Sequence, residues 1–254
     1  MDKTSIKIKK KVKINKPIMV EGLPGIGLVG KIAADHLIRE KKAAKIANIY
    51  SPAFPPQVLM KKNGICRMLG MRVYHIPGKK NDLLVLVGDV QATTPESHYE
   101  LCGRIIKYFK KHGGNFIITL GGYGTGKHSE TPKVFGAASH KELVKKYSKS
   151  GIEFGKTRGS IVGAAGLLLG MGKIEGIKGI CIMGETHGGY IDPKSALAVL
   201  DKLSEVLGME INTSKLEEKV KEGQKFIKKM EEKAAKDAGT DAHAGSVRDL
   251  SYIR

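Results

Sequence analysis

Short runs of apolar residues alternate with helical patterns along residues 16–211. Runs that are apolar at nearly every position predict buried strands, whereas apolar residues spaced three and four apart predict amphipathic helices. Strands are predicted over residues 17–21, 46–50, 66–75, 83–89 and 115–120, and over the run GIKGICIMGE. Helices are predicted over residues 29–39, 96–112 and 193–207. Strands separated by helices in this way are typical of a layered α/β fold with a largely parallel sheet.

The first fifteen residues carry a lysine-rich strand pattern. Ile6, Ile8, Val12 and Ile14 alternate in part with lysines, and a period of two is typical of a strand with one solvated face. We therefore predict a basic N-terminal strand within residues 1–15, as part of an α/β domain that spans residues 1–211.

The pattern changes after Gly208, and residues 212–236 predict a separate amphipathic helix. Leu216, Val220, Ile227 and Met230 follow a heptad spacing with charged residues between them, which is the spacing of a helix that buries one stripe. Two interpretations remain open. The stripe packs on the core of its own chain, or it mediates self-association.

Residues 237–254 predict a flexible tail with an apolar docking segment at its tip. Residues 237–249 have the small and polar composition of a linker. The chain then ends with apolar residues that no core would use, so we predict that a partner binds Leu250, Tyr252, Ile253 and Arg254.

The chain is strongly basic, with 44 Lys and Arg against 25 Asp and Glu and a formal net charge of +19. Lysine dominates arginine, Trp is absent and aromatic residues make up only 6%. Nucleic-acid modules use arginine forks and aromatic stacking platforms, so this composition disfavours a nucleic-acid partner. A solvated lysine-rich surface is the preferred interpretation.

Membrane, export and metal roles are also disfavoured. Apolar runs fall short of the roughly 18 residues that a membrane span requires, and the N-terminus lacks the pattern of a signal peptide. Cys66, Cys102 and Cys181 lie within or beside apolar runs, which predicts buried, reduced thiols and no metal site. We therefore expect a cytoplasmic protein.

A glycine-rich segment follows the first predicted core strand. Gly25, Gly27 and Gly30 match the dinucleotide pattern G-x-G-x-x-G, and with Lys31 they match G-x-x-x-x-G-K. Neither motif is complete, because residues 41–81 contain no Asp or Glu for a ribose and Ile32 stands where a P-loop has Ser or Thr. The alternative is a tight strand-to-helix turn whose glycines allow close packing, with Lys31 in solvent.

Two further loops follow predicted strands. Gly122 and Gly124 lie in the segment LGGYGTGKHSETP, and Glu185, His187 and Asp192 of GETHGGYIDP are a conceivable acid–base set. Loops at the carboxyl ends of parallel strands form the crevice where such folds place ligands. A nucleoside- or anion-binding enzyme is therefore an alternative function. The familiar nucleophile and zinc motifs are missing, so we predict no catalytic residues, no metal and no cofactor.

Several motifs together resemble a known family. GLPGIGLVGKIAADHL, SPAFPPQV, GDVQATTPESHYEL, TLGGYGTG, GAAGLLLG and GETHGGYIDPKSA occur in this order. In combination they resemble the archaeal proteasome assembly chaperone family, the prokaryotic relatives of eukaryotic proteasome assembly chaperone 2. The resemblance implies a three-layer α/β/α domain similar to the purine nucleoside phosphorylase fold, without phosphorylase activity.

The resemblance also implies a mode of action. Members of the family assemble as tetramers or pentamers and bind proteasome α subunits or the finished core particle through C-terminal tails that end in a hydrophobic residue, a tyrosine and one final residue. Here Tyr252 is third from the end and Ile253 is penultimate, so the tyrosine is shifted by about 3.3 Å of extended chain. We predict a non-enzymatic homo-oligomer that presents its tails to the proteasome or to a companion chaperone.

Overall fold

The computed structural model describes residues 3–156 and 159–221, and an α/β domain accounts for most of them. Its strands are β1 (Ser5–Ile8), β2 (Ile18–Gly22), β3 (Ala44–Tyr50), β4 (Val58–Met60), β5 (Cys66–Met68), β6 (Met71–Ile76), β7 (Leu83–Gly88), β8 (Phe116–Gly124), β9 (Val134–Ala138), β10 (Glu153–Phe154) and β11 (Lys178–Thr186). Its helices are α1 (Val29–Glu40), α2 (Pro95–Lys111), α3 (Lys141–Tyr147), α4 (Ala164–Ile174) and α5 (Pro193–Leu207).

The main sheet has a parallel centre and mostly antiparallel flanks. Its strand order is β1-β3-β6-β7-β2-β8-β11-β9-β10, and the pairs β7-β2, β2-β8 and β8-β11 are parallel. The strands β1, β3 and β6 add antiparallel pairs on one side, and β9 does so on the other. The sheet is thus less parallel than the sequence predicts, because the short link between β6 and β7 leaves no room for the crossover that a parallel pair requires.

Helices cover both faces of the sheet. Met19 and Ile117 belong to a buried apolar cluster that includes residues of α2 and α4. Successive side chains of a strand point to opposite faces, so Val20 and Ile118 face the other side, where α1 and α5 pack together. This arrangement confirms the predicted layered α/β fold.

Capping residues fix where the two longest helices begin. The Thr94 hydroxyl accepts a hydrogen bond from the amide of Ser97, and Pro95 follows as the first residue of α2. At α5 the Asp192 carboxylate accepts one from the amide of Ser195, again with a proline next. Side-chain caps of this kind are each worth about 1 kcal/mol, and proline suits the first helical position. Thr94 and Asp192 are therefore the N-caps of α2 and α5.

One predicted strand, 66–75, is divided in two. It breaks between β5 and β6, where the carbonyl of Gly70 accepts a hydrogen bond from the amide of Asp89 and the amide of Gly70 donates one to the Asp89 carboxylate. As a result β5 leaves the main sheet and pairs with β4 as a two-stranded ribbon. Cys66 lies on this ribbon and is exposed, so the prediction of a buried thiol is wrong for Cys66 and confirmed for Cys102 and Cys181.

Both ends of the predicted organisation are only partly described. The N-terminal strand is shorter than predicted and ends at Ile8, and residues 214–221 form a helix that includes Leu216 and Val220. The remaining residues of the predicted heptad stripe and the tail, namely Ile227, Met230, Leu250, Tyr252, Ile253 and Arg254, lie outside the described residues.

Candidate functional site

A cleft opens at the carboxyl ends of the central parallel strands. It has a volume of about 1020 Å³ and is lined by the ends of β2, β8 and β11, by the first residues of α2 and α4, and by residues 159–163. Parallel sheets commonly bind ligands at this edge. Pockets for small molecules typically have about 300–1,000 Å³, so the cleft is large enough for one.

Three polar side chains form a row beneath the cleft. Glu21 of β2 pairs in register with Thr119 of β8, and Thr119 pairs in register with Cys181 of β11. Residues paired in this way project from the same face of a sheet. All three are buried, and Glu21 and Cys181 line the cleft. We call this row the polar floor.

Glu21 is the acid of the polar floor, and its carboxyl is only half satisfied; the Thr119 hydroxyl beside it also lacks a partner. Oε1 accepts a hydrogen bond of 2.9 Å from the amide of Leu23, whereas Oε2 has no partner. Burial raises the pKa of Glu21 from 4.5 to about 8, although the Leu23 hydrogen bond opposes the rise. The carboxyl is therefore protonated at neutral pH and offers an O–H donor.

The thiols near the polar floor are also uncharged. Burial, together with the nearby Glu21 carboxyl, raises the pKa of Cys181 to about 12. Burial likewise raises the pKa of Cys102 to about 12. The thiolate is the nucleophilic form of cysteine, so these thiols are poor nucleophiles at neutral pH.

Gln91 ties two walls of the cleft together. Its side-chain Nε2 donates a 2.7 Å hydrogen bond to the carbonyl of Pro24, and its Oε1 accepts one of 2.9 Å from the amide of Ala164. Pro24 lies in the glycine loop after β2, and Ala164 is the first residue of α4. The two hydrogen bonds of Gln91 thus fix the distance between these walls, and the cleft is largely preformed.

The described part of the cleft wall is mainly apolar and carries no basic side chain. Among the described residues that line it, Glu21 is the only acid, His98 is the only histidine, and no Lys or Arg is present. Ile26, Tyr99 and Val162 add exposed apolar surface at the rim. This lining favours an uncharged ligand over a phosphate-bearing one, because phosphate sites normally supply cationic side chains.

The first glycine loop is a packing device. Gly27 has a φ of +60°, and a Cβ on Gly30 would lie 2.1 Å from the carbonyl oxygen of Leu120. Lys31 bonds to Asp35 one helical turn on, at 2.6 Å. Lys31 is half-buried and does not line the cleft, so the prediction that placed it in solvent is wrong. Close packing of α1 on β8 therefore accounts for the glycine spacing, in agreement with the structural alternative.

The second glycine loop lies against the first. A Cβ on Gly122 would approach the carbonyl oxygen of Ile26 to 2.4 Å, whereas Gly124 leaves ordinary van der Waals space. Gly25, Gly30, Gly122 and Gly124 all line the cleft. The glycine loops predicted to hold a ligand thus meet at one site, with Gly27 supporting the turn.

The conceivable acid–base set is divided among different partners. Glu185 accepts a hydrogen bond from the amide of Lys133, and His187 stacks on Tyr190 with ring centroids 5.2 Å apart. Asp192 caps α5 and accepts a 2.7 Å hydrogen bond from Thr186. The structure therefore gives Asp192 a capping role and does not bring these side chains together as a catalytic group.

Sequence reasoning missed the residues at the centre of the cleft. Glu21 carried a usable signal, because it is a carboxylate directly after the apolar run PIMV of a core strand, where acids are rarely buried. Thr119 and Cys181 carried no such signal, since their alignment with Glu21 depends on strand register. Gln91 is distant in sequence from both segments that it joins.

Metal binding and membrane insertion find no support within residues 3–156 and 159–221. There, His, Cys, Asp and Glu side chains do not gather in threes around a space for a metal ion. No helix in those same ranges is long and apolar enough to cross a membrane.

Comparison with known proteins identifies the family. The sequence matches the PAC2 family over residues 19–231, and a Methanocaldococcus jannaschii protein is 44% identical over 97% of both chains. The Pyrococcus furiosus protein PbaB, described as an archaeal proteasome activator, has 39% identity and a TM-score of 0.86, covering 91% of this chain and 100% of PbaB. PbaA of the same organism, described as an archaeal homolog of proteasome-assembly chaperone, has 27% identity and a TM-score of 0.78, covering 95% and 97%. Because the family match spans most of its length, the chain belongs to the PAC2 family.

Proposed function

We propose that this chain is a proteasome-binding factor, either an assembly chaperone or an activator of the core particle. The observation that carries the proposal is the likeness to PbaB, an archaeal proteasome activator that is 39% identical and is covered over its whole length. PbaA, an archaeal homolog of proteasome-assembly chaperone, supports the same general role. The chain acts without catalysis, by binding proteasome subunits.

The C-terminal tail is the proposed contact with the proteasome. Tyr252 and Ile253 are its apolar anchors, and Arg254 adds a cation. Residues 237–249 supply the slack that lets each tail reach its pocket. Tyr252 lies one residue earlier than the tyrosine of the family's tails. This position favours a pocket that binds Ile253, on an α subunit or on a companion chaperone.

Oligomerisation raises the overall affinity of tails that each bind weakly. A tetramer or pentamer holds several tails near a ring of repeated pockets, and tethering raises the effective concentration of each further tail to about the millimolar range. The net charge of +19 would steer the oligomer toward acidic partner surfaces, an effect that salt weakens.

The ribbon offers an apolar surface for contact between copies. Its outward side chains form the cross-strand pairs Val58–Met68 and Met60–Cys66, and all four residues are exposed, Met60 at 82%. The inward side is fixed, because Leu59 packs on the core and Arg67 bonds to Asp89. We assign the outward side to self-association, whereas Leu216 and Val220, the described residues of the heptad stripe, are already buried within the single chain.

The experiment is native mass spectrometry of the full-length chain and of a version ending at Asp249, each mixed with proteasome α subunits and with intact core particle. We expect a symmetric oligomer in both cases and capture of α subunits or core particle by the full-length chain alone. Tyr252→Ala and Ile253→Ala are expected to weaken capture, while Ser251→Ala, the matched control in the same tail, is expected to leave it unchanged.

Two results would contradict the proposal. If neither version binds α subunits or core particle while both oligomerise, the chain does not act on the proteasome through this tail. If the truncated version binds as strongly as the full-length chain, binding belongs to the folded domain and the tail is dispensable.

A further inference from the structure

We propose that the cleft above Glu21 binds an uncharged, ring-containing small molecule of the nitrogen-heterocycle class, and that the Glu21 carboxyl donates a hydrogen bond to a carbonyl oxygen or ring nitrogen of that molecule. This binding site is separate from the proteasome role and does not depend on it.

The polar floor provides the first argument. A buried carboxyl oxygen without a partner is unfavourable by about 1–3 kcal/mol, and Glu21, which lines the cleft, has such an atom in Oε2. The other oxygen is already bonded to the amide of Leu23. Oε2 of Glu21 is therefore left to form a hydrogen bond with a ligand, and the protonated carboxyl is the donor in that bond.

The charge of the lining selects against ions. The described lining contains no Lys or Arg to neutralise a phosphate or carboxylate, and Glu21 is held uncharged by burial. A cationic amine would require an ionised acid, and the described lining contains no second Asp or Glu. An uncharged ligand needs neither a cationic side chain nor an ionised acid, so it is the class that this lining favours.

The walls select for an apolar body with few polar atoms. Leu23, Leu167 and Met183 line the same cleft as Glu21 and Cys181, and so do the aromatic residues Tyr99 and Tyr123. A sugar alone would leave most of its hydroxyls unpaired against such walls. A flat heterocycle buries its faces against them while its edge meets Glu21.

The mouth of the cleft adds polar positions of the right kind. The helices α2 and α4 both begin there, and the first amide of α4 is already bonded to the Gln91 side chain. Helix N-termini carry partial positive charge and favour electron-rich oxygens. Hydroxyl or carbonyl oxygens attached to the ring would find donors at this end, so a nucleoside is a suitable probe.

The test is calorimetric titration of the full-length protein with inosine and adenosine, with ribose and inosine monophosphate as comparators. We expect one of the nucleosides to bind, ribose to give no signal, and the added phosphate to bring no gain in affinity. Glu21→Leu is expected to weaken binding about tenfold or more, whereas Glu21→Gln, which keeps a donor, is expected to stay within about threefold.

A matched pair of surface variants guards against a folding artefact at Glu21. Val162 is 82% exposed and lines the cleft, whereas Ile174 is 85% exposed and does not. Val162→Glu is expected to weaken nucleoside binding and Ile174→Glu to leave it unchanged. The proposal is overturned if neither nucleoside binds, if both surface variants behave alike, or if inosine monophosphate binds much more tightly than inosine.

Discussion

Replacing Glu21 by glutamine isolates a pH dependence of stability that the fold imposes. The folded state raises the pKa of this carboxyl from 4.5 to about 8 by burial, so the folded chain holds a proton that the unfolded chain releases. The contribution of Glu21 to stability is therefore greatest below pH 4.5 and falls as the pH rises toward about 8, above which the carboxyl is ionised in both states. Glu21→Gln keeps the shape and removes the titration.

The magnitude follows from the same values. Each pH unit in which only the folded state is protonated lowers the free energy of unfolding by about 1.4 kcal/mol. Between pH 4.5 and about 8 the loss amounts to about 5 kcal/mol. The thiols of Cys102 and Cys181 do not interfere, because burial holds their pKa values at about 12.

The assay is guanidinium unfolding of the natural chain and of Glu21→Gln at half-unit steps from pH 4.5 to 8.5. Two independent probes monitor each unfolding transition. The difference between the two proteins should be small at pH 4.5 and should grow steadily in favour of the variant. Other titrating groups cancel in this difference, provided that both proteins unfold in a single transition. A difference that is flat across the range would refute a protonated Glu21 in the folded state.

Three further changes have expected outcomes. Asp89→Asn removes the carboxylate that binds Arg67, Arg72 and the Gly70 amide. This change should lower the free energy of unfolding by about 2–3 kcal/mol. Glu142→Gln, the control at an exposed ion pair, should leave the unfolding midpoint unchanged. Gly30→Ala forces a Cβ against the Leu120 carbonyl and should destabilise by about 2–3 kcal/mol, while Gly170→Ala, which meets open space in α4, should stabilise by up to about 1 kcal/mol. Met60→Glu on the ribbon should shift the oligomer toward monomer in sedimentation experiments, and Ile174→Glu should not; an unchanged oligomer in both would remove the ribbon from the interface.

Elements with strong local signals were predictable. The predicted helix 193–207 is confirmed at both ends, because proline begins it and Gly208, with a φ of +60°, ends it. The strands over 83–89 and 115–120 are confirmed to within a few residues, since their unbroken apolar runs need burial on both faces. The likeness to purine nucleoside phosphorylases stays a prediction.

Elements that depend on tertiary contacts escaped the sequence. Val134–Ala138 was not assigned, because a short strand containing glycine and alanine has little apolar pattern, and it is held by pairing with β11. The exposure of Cys66 could not be foreseen either. It results from the break at Gly70, which depends on the distant Asp89 carboxylate.

The cleft shows the same division between local and distant causes. The glycines of both loops were visible as a cluster of turns, but their mutual contact arises only when Gly122 meets Ile26 across the edge of the sheet. Glu21 was visible as a residue yet not as a buried acid, since burial depends on the cover that α2 and α4 provide. Register then aligned Thr119 and Cys181 beside it.

Glu21 lowers the stability of the fold that contains it, and this is the main reason to assign it a role. A leucine or methionine at this position would extend the apolar cluster below it and would remove both the unpaired oxygen and the loss of stability toward alkaline pH. Capping and ion pairing, which account for Asp192 and Asp89, do not account for Glu21, whose second oxygen is unbonded. A donor position facing a preformed apolar cleft is the remaining benefit, and it is one that a bound ligand would realise. If the Glu21→Gln chain is more stable than the natural chain at pH 8 and still binds a nucleoside, the Glu21 carboxyl acts as a hydrogen-bond donor. If Glu21→Leu binds a nucleoside as tightly as the natural chain does, Glu21 has no role in the cleft.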